Sequence, residues 1–206
     1  MSKTINLAVL LSGSGRTLQN FINRIQDGSL NARIRIVISS EPNAYGIERA
    51  KKHNIPAVIV RFKDFKDVNS FSEAITEQID KYLIDLIVMA GFIRLYRITD
   101  KYLGRVMNIH PGLIPAFCGK GNYGERVHRA VLEYGAKVSG CTVHFADNLY
   151  DHGPIIIQRV VPVLDNDTVE TLAERVFAEE CIAYPEAIRL FAEGRLKIED
   201  RKVKIL

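Results

Sequence analysis

Cysteine is scarce in this sequence of 206 residues, and its spacing already restricts the compartment and chemistry of the protein. The three cysteines, Cys118, Cys141 and Cys181, are odd in number and contain no C-x-x-C pair. This pattern fits free thiols in a reducing cytoplasm better than a disulfide framework. We therefore expect a cytoplasmic protein, and we predict no metal site.

Long apolar runs are also missing. No stretch approaches the length of a membrane helix, and no charged amino-terminal segment precedes an apolar region, so we expect neither a membrane protein nor a secreted one. The net charge of +4 is scattered and lacks interleaved aromatic residues, which argues against a nucleic-acid partner but is compatible with an anionic ligand. A hydrophobic content of 47% is ample for the core of one domain spanning residues 1–206.

Apolar segments typical of strands alternate with segments that have helical spacing. This order predicts an α/β fold: a single-domain, Rossmann-like, open twisted and mainly parallel sheet, with helices on both faces and an antiparallel carboxy-terminal portion. Ligands of such sheets bind at the carboxyl ends of the strands. The predicted strands are 5–11, 33–39, 56–60, 86–90 and 155–163, and the predicted helices are 18–25, 45–53, 68–82, 126–134 and one from Val169, with a terminal hairpin over 195–206.

A glycine-containing loop, Ser12-Gly13-Ser14-Gly15-Arg16-Thr17, joins the first strand to the first helix. Backbone N–H groups at such a helix start can bind a phosphate. A dinucleotide site is disfavoured because Leu18 occupies the position of the third glycine in the usual motif. A tight turn with no ligand remains the alternative.

Asn108 and His110 stand two residues apart at the end of an apolar segment, just before Pro111. Alternate residues of a strand share a face, so we expect both side chains to point the same way. An amide donor beside a titratable ring can stabilise an oxyanion and move a proton. A turn-capping asparagine and a satisfied core histidine are the alternatives.

Two carboxylates, Asp147 and Asp151, follow the segment TVHF and precede Gly153-Pro154. The motifs NIHP, TVHF and D-x-GP, in this order, resemble those of the folate-dependent formyltransferases. The resemblance implies that Asn108, His110 and Asp151 act together as catalytic residues. It also implies 10-formyltetrahydrofolate as the formyl donor, with the small amine substrate attacking the formyl carbon directly.

Further matches to that family imply the binding residues. The glycine loop resembles the segment that holds the phosphate of a phosphoribosyl amine substrate. Ala90-Gly-Phe-Ile-Arg94 resembles a pterin-binding segment, although ordinary loop packing and an Arg94 ion pair are alternatives. Glu180 matches a glutamate that binds ribose hydroxyls, a solvated helix charge being the alternative. The implied substrate-binding residues are Gly13, Gly15, Arg16, Thr17 and Glu180, and the implied folate-binding residues are Ile93, Arg94, Leu95, Tyr96, Asn108, Asp147 and Asp151.

The roles of other residues follow from the same comparison. We expect residues 1–100 to bind the phosphoribosyl substrate and residues 101–206 to carry catalysis and folate binding, in a monomer or homodimer. His110 is expected to act as an imidazolium whose pKa is raised by Asp151, with His144 supporting it. His128 is expected to be structural, Glu41 to be a turn residue, and the glycine-rich segment 119–124 to form a lid or a substrate-contact loop.

Other functions remain open from the sequence. A related enzyme could formylate methionyl-tRNA or hydrolyse formyltetrahydrofolate, but each normally carries an additional domain that we do not expect in 206 residues. A non-catalytic nucleotide-binding module would leave Asn108, His110 and Asp151 unexplained.

Overall fold

A computed structural model of the protein describes residues 4–206, which divide into two compact units at Met107 and Asn108. The two halves expected from the sequence divide at residue 100. Each unit contains part of the β-structure. The expected α/β fold, with parallel strands followed by antiparallel carboxy-terminal strands, is confirmed.

The first unit has the strand order β3-β2-β1-β4, in which β1 is parallel to β2 and β4, and β2 is parallel to β3. Its core forms around β1, whose residues from Leu7 to Leu11 are fully buried because the sheet is apolar on both faces. The elements are β1 (Ile5–Leu11), α1 (Arg16–Gln26), β2 (Ala32–Ser39), α2 (Tyr45–Lys52), β3 (Ala57–Ile59), α3 (Val68–Ile79) and β4 (Leu86–Met89), with short 3-10 turns at Phe62–Asp64 and Asp100–Tyr102.

The second unit has the strand order β5-β6-β7-β9-β8, and β5 (Val106–His110) enters it from the first unit. Strand β7 is antiparallel to β6 and parallel to β9, and β8 and β9 form the expected terminal hairpin. The remaining elements are α4 (Glu125–Tyr134), β6 (Val138–Phe145), β7 (Ile155–Pro162), α5 (Val169–Ala192), β8 (Leu196–Glu199) and β9 (Lys202–Ile205).

Local sequence explains where the helices begin and which faces they bury. Helix α5 begins after Thr168, whose side chain accepts the amide of Thr171 while the Thr171 side chain accepts the amide of Thr168. In α3, Phe71, Ile75 and Ile79 are fully buried, as their spacing predicts. Within residues 4–206, no helix is both long enough and apolar enough to span a membrane.

Candidate active site

Two side chains of β5 converge on one carboxylate. The Asn108 amide nitrogen donates to Asp151 Oδ1 at 3.2 Å, and His110 Nδ1 lies 3.5 Å from Asp151 Oδ2. Strand pleating places residues 108 and 110 on the same face, as the sequence analysis expected. Because the Asp151 side chain is only 11% exposed, its charge is poorly screened and acts strongly on both neighbours.

The His110 ring is held from its other side by a backbone carbonyl. Nε2 donates to the Phe117 carbonyl oxygen at 3.0 Å, which places the proton of the neutral ring on Nε2 and turns the Nδ1 lone pair towards Asp151. A further proton therefore binds at Nδ1, where the carboxylate can accept it in a hydrogen bond.

Burial sets the charge of the resting ring. His110 is 2% exposed, and this desolvation lowers its pKa below the ordinary value, although the negative charge of Asp151 and the Phe117 carbonyl act in the opposite direction. The carboxylate acts on the ring with the expected sign, and the loss of hydration acts against it.

His144 on β6 completes the polar cluster. Its Nε2 accepts from the Asn108 amide at 3.2 Å and lies 3.9 Å from Asp151 Oδ1, while Nδ1 donates to the Phe145 carbonyl at 2.9 Å. The pairing register of β6 and β7 shifts between Val143 and His144, and such an irregularity redirects a side chain. His144 therefore contacts Asn108 and Asp151, whereas the sequence analysis expected it to support His110.

The backbone around Asp151 is unusual. Asp151 has φ +49°, in the left-handed region, and Oδ2 accepts the Gly119 amide at 2.9 Å. Gly153 follows closely, and a Cβ there would lie 1.8 Å from the Phe145 carbonyl oxygen, so the Asp-x-Gly-Pro motif needs glycine for a close approach to the end of β6. Phe117 was not assigned a site role from the sequence, and Gly119 was expected only as part of segment 119–124, because both act through backbone atoms that carry no side-chain signal.

The glycine loop of the first unit leads into an open helix start. Gly15 is the N-cap of α1, with φ +70°, and no side chain caps the helix. A Cβ on Gly15 would lie 2.6 Å from the Gly46 Cα, whereas a Cβ on Gly13 would meet nothing within 4 Å. Gly15 thus has a packing function, and Gly13 is the open position. Arg49, which the sequence analysis did not single out, donates from Nε to the Ser14 carbonyl at 2.9 Å and fixes this loop.

The expected pterin segment has mixed surroundings. Ile93 is 36% exposed and Leu95 is half-buried. Arg94 donates to Glu41 at 3.0 Å, which is the ion pair considered as an alternative, and its guanidinium lies over the Phe62 ring. The Tyr96 side chain is 2% exposed, with its hydroxyl 2.8 Å from the Thr76 hydroxyl, so it packs in the core of the first unit.

The other expected binding residues lie in the loop after β6 (Asp147), on helix α5 (Glu180) and at the start of helix α1 (Arg16 and Thr17). Asp147 accepts the Leu149 amide at 2.9 Å and contacts His152 Nδ1 at 2.6 Å. Glu180 is buried on α5, and its charge adds to burial in raising the pKa of the Cys141 thiol to about 12. By contrast, Glu179 pairs with Arg159 at 3.2 Å. Of the loop residues, Thr17 is buried and Arg16 is exposed.

His128 lies on α4 and is 4% exposed, with no hydrogen-bond partner at Nδ1. Burial, together with the nearby His110, lowers its pKa to about 4. Across the described part of the chain, no group of three or more His, Cys, Asp or Glu side chains is arranged to hold a metal ion.

Comparisons with known proteins agree with this arrangement. A phosphoribosylglycinamide formyltransferase of Haemophilus influenzae is 35% identical over 196 residues, covering 94% of this chain and 90% of that protein. The crystal structure of glycinamide ribonucleotide transformylase 1 from Symbiobacterium toebii superposes with a TM-score of 0.90 at 45% identity, covering 98% of this chain and 94% of that one.

Longer relatives match this chain over only a part of their own length. The trifunctional purine biosynthetic protein adenosine-3 of Chironomus tentans is 38% identical over 199 residues, which are 95% of this chain but 14% of that protein. The family model described as formyl transferase matches residues 5–188, which include the glycine loop, Asn108, His110 and Asp151. The chain therefore belongs to the formyl transferase family.

Proposed function

We propose that this protein transfers the formyl group of 10-formyltetrahydrofolate to the amine of 5'-phosphoribosylglycinamide, giving formylglycinamide ribonucleotide and tetrahydrofolate in purine biosynthesis. The observation that carries the proposal is the convergence of Asn108 and His110 on the Asp151 carboxylate. The identity to full-length phosphoribosylglycinamide formyltransferases supports this acceptor.

In the proposed reaction, the substrate amine attacks the formyl carbon and forms a new C–N bond, while the carbonyl oxygen becomes an oxyanion. The bond from the formyl carbon to N10 of the folate then breaks. One proton must leave the attacking nitrogen and one must reach N10. The His110–Asp151 pair suits this transfer because the neutral ring can take a proton at Nδ1, beside the carboxylate, and release it later.

Oxyanion stabilisation is the proposed task of Asn108 and the protonated His110. Both protons of the Asn108 amide already face acceptors, Asp151 and His144, and both ring nitrogens of His110 face protein groups. Contact with the formyl oxygen therefore requires one of these partners to be exchanged. Segment 117–124 supplies one of them, the Phe117 carbonyl, so a shift of this segment would free Nε2.

Substrate binding is proposed to use the open start of α1. The amides at the beginning of a helix have no intrahelical acceptors, and the positive end of the helix dipole favours a phosphate. We assign Gly13, Gly15, Arg16 and Thr17 to this phosphate and Glu180 to the ribose hydroxyls.

The folate is proposed to contact the segment from Ile93 to Tyr96 and the polar residues Asn108, Asp147 and Asp151. Because the Tyr96 side chain is buried and Arg94 is paired with Glu41, these two residues would contribute chiefly through their backbone. By this assignment residues 1–100 bind the substrate phosphate and supply the folate contacts from Ile93 to Tyr96, and residues 101–206 carry catalysis, the ribose contact of Glu180 and the remaining folate contacts.

One assay separates the candidate reactions. The purified protein is mixed with 10-formyltetrahydrofolate, with and without phosphoribosylglycinamide, and tetrahydrofolate is measured. We expect its formation to depend on the amine. Deformylation at the same rate without the amine would instead indicate a hydrolase, and no reaction with either mixture would contradict the proposed function.

We also propose that the protein acts in the cytoplasm, as a monomer or homodimer. Free cysteines at positions 118, 141 and 181 fit a reducing compartment. Sedimentation equilibrium over a range of protein concentrations distinguishes the two assembly states.

A further inference from the structure

We infer that Arg201, in the turn of the carboxy-terminal hairpin, is a positioning residue for Asp151. This inference rests on the proposed function for its catalytic consequence, but its structural part does not. The hairpin strands, Leu196–Glu199 and Lys202–Ile205, lie beyond residues 5–188 that match the family model.

The segment that carries Asp151, residues 146–153, is here called the Asp151 loop. Its base is closed by the Phe145 amide, which donates to the Pro154 carbonyl at 2.9 Å. Within the loop, His152 Nδ1 lies 2.6 Å from Asp147 Oδ2, and this contact crosses the loop between the two residues flanking its tip. The amides of Asn108 and Gly119 reach the loop from outside, but they bind only the Asp151 side chain.

Arg201 adds a contact from outside the loop to the backbone of the adjacent residue, His152. Its Nη2 donates to the His152 carbonyl at 2.8 Å, and its Nη1 lies 2.9 Å from His152 Nε2. Nη1 also lies 3.4 Å from His152 Nδ1, so it approaches the face of the ring. Arg201 thus holds the His152 backbone by a hydrogen bond and the His152 ring by contact, and the same ring reaches Asp147 through Nδ1.

These contacts act on the residue adjacent to Asp151. A planar guanidinium that bonds to the backbone of a residue and packs on its ring restrains both the His152 ring and its backbone. Asp151 has a left-handed backbone, and such a conformation in a non-glycine residue persists where its surroundings over-determine it. The hairpin is itself anchored beside the loop, because Lys202 pairs with Ile155 of β7.

The competing explanation is that these contacts are surface interactions with no influence on Asp151. His152 and Asp147 have side-chain exposures of 48% and 35%, and exposed ion pairs usually contribute little to global stability. We therefore expect Arg201→Ala to leave the overall fold intact and to act locally. Its effect should appear as faster amide hydrogen exchange in the Asp151 loop and as a changed titration of His110, which faces the Asp151 carboxylate.

The test compares the wild type with Arg201→Ala, Arg201→Lys, His152→Ala and the double variant Arg201→Ala/His152→Ala. Lys204→Ala is the matched control, because Lys204 is a cation of the same hairpin whose ion pair is with Glu199. Amide hydrogen exchange reports on residues 146–153, NMR titration reports on His110, and steady-state kinetics give kcat and KM.

For Arg201→Ala we expect faster exchange in the Asp151 loop, a lower pKa of His110, and a kcat reduced by up to about 100-fold with little change in KM, since small displacements of reacting groups have effects of this size. Arg201→Lys should recover part of each effect, Lys204→Ala should behave as the wild type, and the double variant should lose less than the product of its single effects.

Unchanged loop exchange and an unchanged His110 titration in Arg201→Ala would overturn the inference. A loosened loop with normal kcat would overturn the positioning role. If the wild type transferred no formyl group, the proposed function would fail, while exchange and titration would still decide whether Arg201 holds Asp151 near His110.

Discussion

Asp151→Asn is the substitution that tests the catalytic cluster most directly, because it keeps the shape of the side chain and removes its charge. In the wild type, Oδ2 lies 3.5 Å from His110 Nδ1. Two unit charges at about 4 Å attract each other by about 4 kcal/mol at an effective dielectric constant of about 20. If the ring becomes charged as the transition state forms, losing this attraction should lower kcat by roughly 1000-fold.

The titration of His110 should change with the same substitution. The negative charge of Asp151 opposes the effect of burial on this ring, so Asp151→Asn should move the His110 pKa further below its ordinary value. An NMR titration of the imidazole, with Asp165→Asn as an exposed-carboxylate control, checks this direction without depending on turnover.

Turnover is then measured for Asp151→Asn, His110→Ala and the double variant. Residues that act as a unit are strongly non-additive, so the double variant should lose much less activity than the product of the two single losses. Fully multiplicative losses, or near-normal kcat in Asp151→Asn, would refute the coupled pair. They would do so even if the protein proved to be a formyltransferase.

Three further substitutions examine other parts of the structure. Gly13→Val should raise KM for the phosphorylated amine and leave folate affinity unchanged, because the position is open and faces no packed atoms; Gly15→Val is a poor substitute, since it would also collide with Gly46. Glu180→Ala should weaken the same substrate by about 1–3 kcal/mol through the loss of a hydroxyl acceptor, whereas Glu179→Ala should not. His128→Leu should flatten the loss of stability between pH 6.5 and pH 4, measured by urea unfolding.

The sign of the His128 effect follows from its pKa of about 4, which is below that of the unfolded chain. Between these values the unfolded state binds the extra proton, so wild-type stability falls as the pH falls, by about 3 kcal/mol from this residue. An unchanged pH slope in His128→Leu would contradict the lowered pKa of His128.

Equal weakening of both ligands in Gly13→Val, with the fold intact, would count against the phosphate loop. An unchanged KM in Glu180→Ala would remove Glu180 from the ribose site.

Much of the fold was predictable because local patterns and tertiary contacts agree. Strand β1 has the predicted bounds Ile5–Leu11, since a continuous apolar segment between turn residues suits a central parallel strand. The ends of other elements moved by a few residues. Helix α3, for example, ends at Ile79 instead of residue 82, and the Asp80 amide after it donates to the Thr76 carbonyl.

The candidate site was predictable where it depends on side chains two residues apart on one strand. The spacing of Asn108 and His110 sufficed to place them on one face. The lowered pKa of His110 was not predictable, because it depends on how deeply the ring is buried by distant segments. The amide of Gly119 and the carbonyl of Phe117 were likewise invisible, because any residue type supplies those atoms.

The left-handed backbones of Phe117 and Asp151 have a consequence for protein engineering. Both residues contact His110, one through its carbonyl and the other through its carboxylate, and each holds a conformation that costs about 1–3 kcal/mol for a non-glycine residue. Glycine would relieve this strain, but at position 151 it would also delete the carboxylate and leave the Asn108 and Gly119 amides without their acceptor. At position 117 glycine would keep the carbonyl to which His110 donates. Of these two positions, 117 is therefore the one at which glycine can be tried for heat resistance without removing a catalytic group.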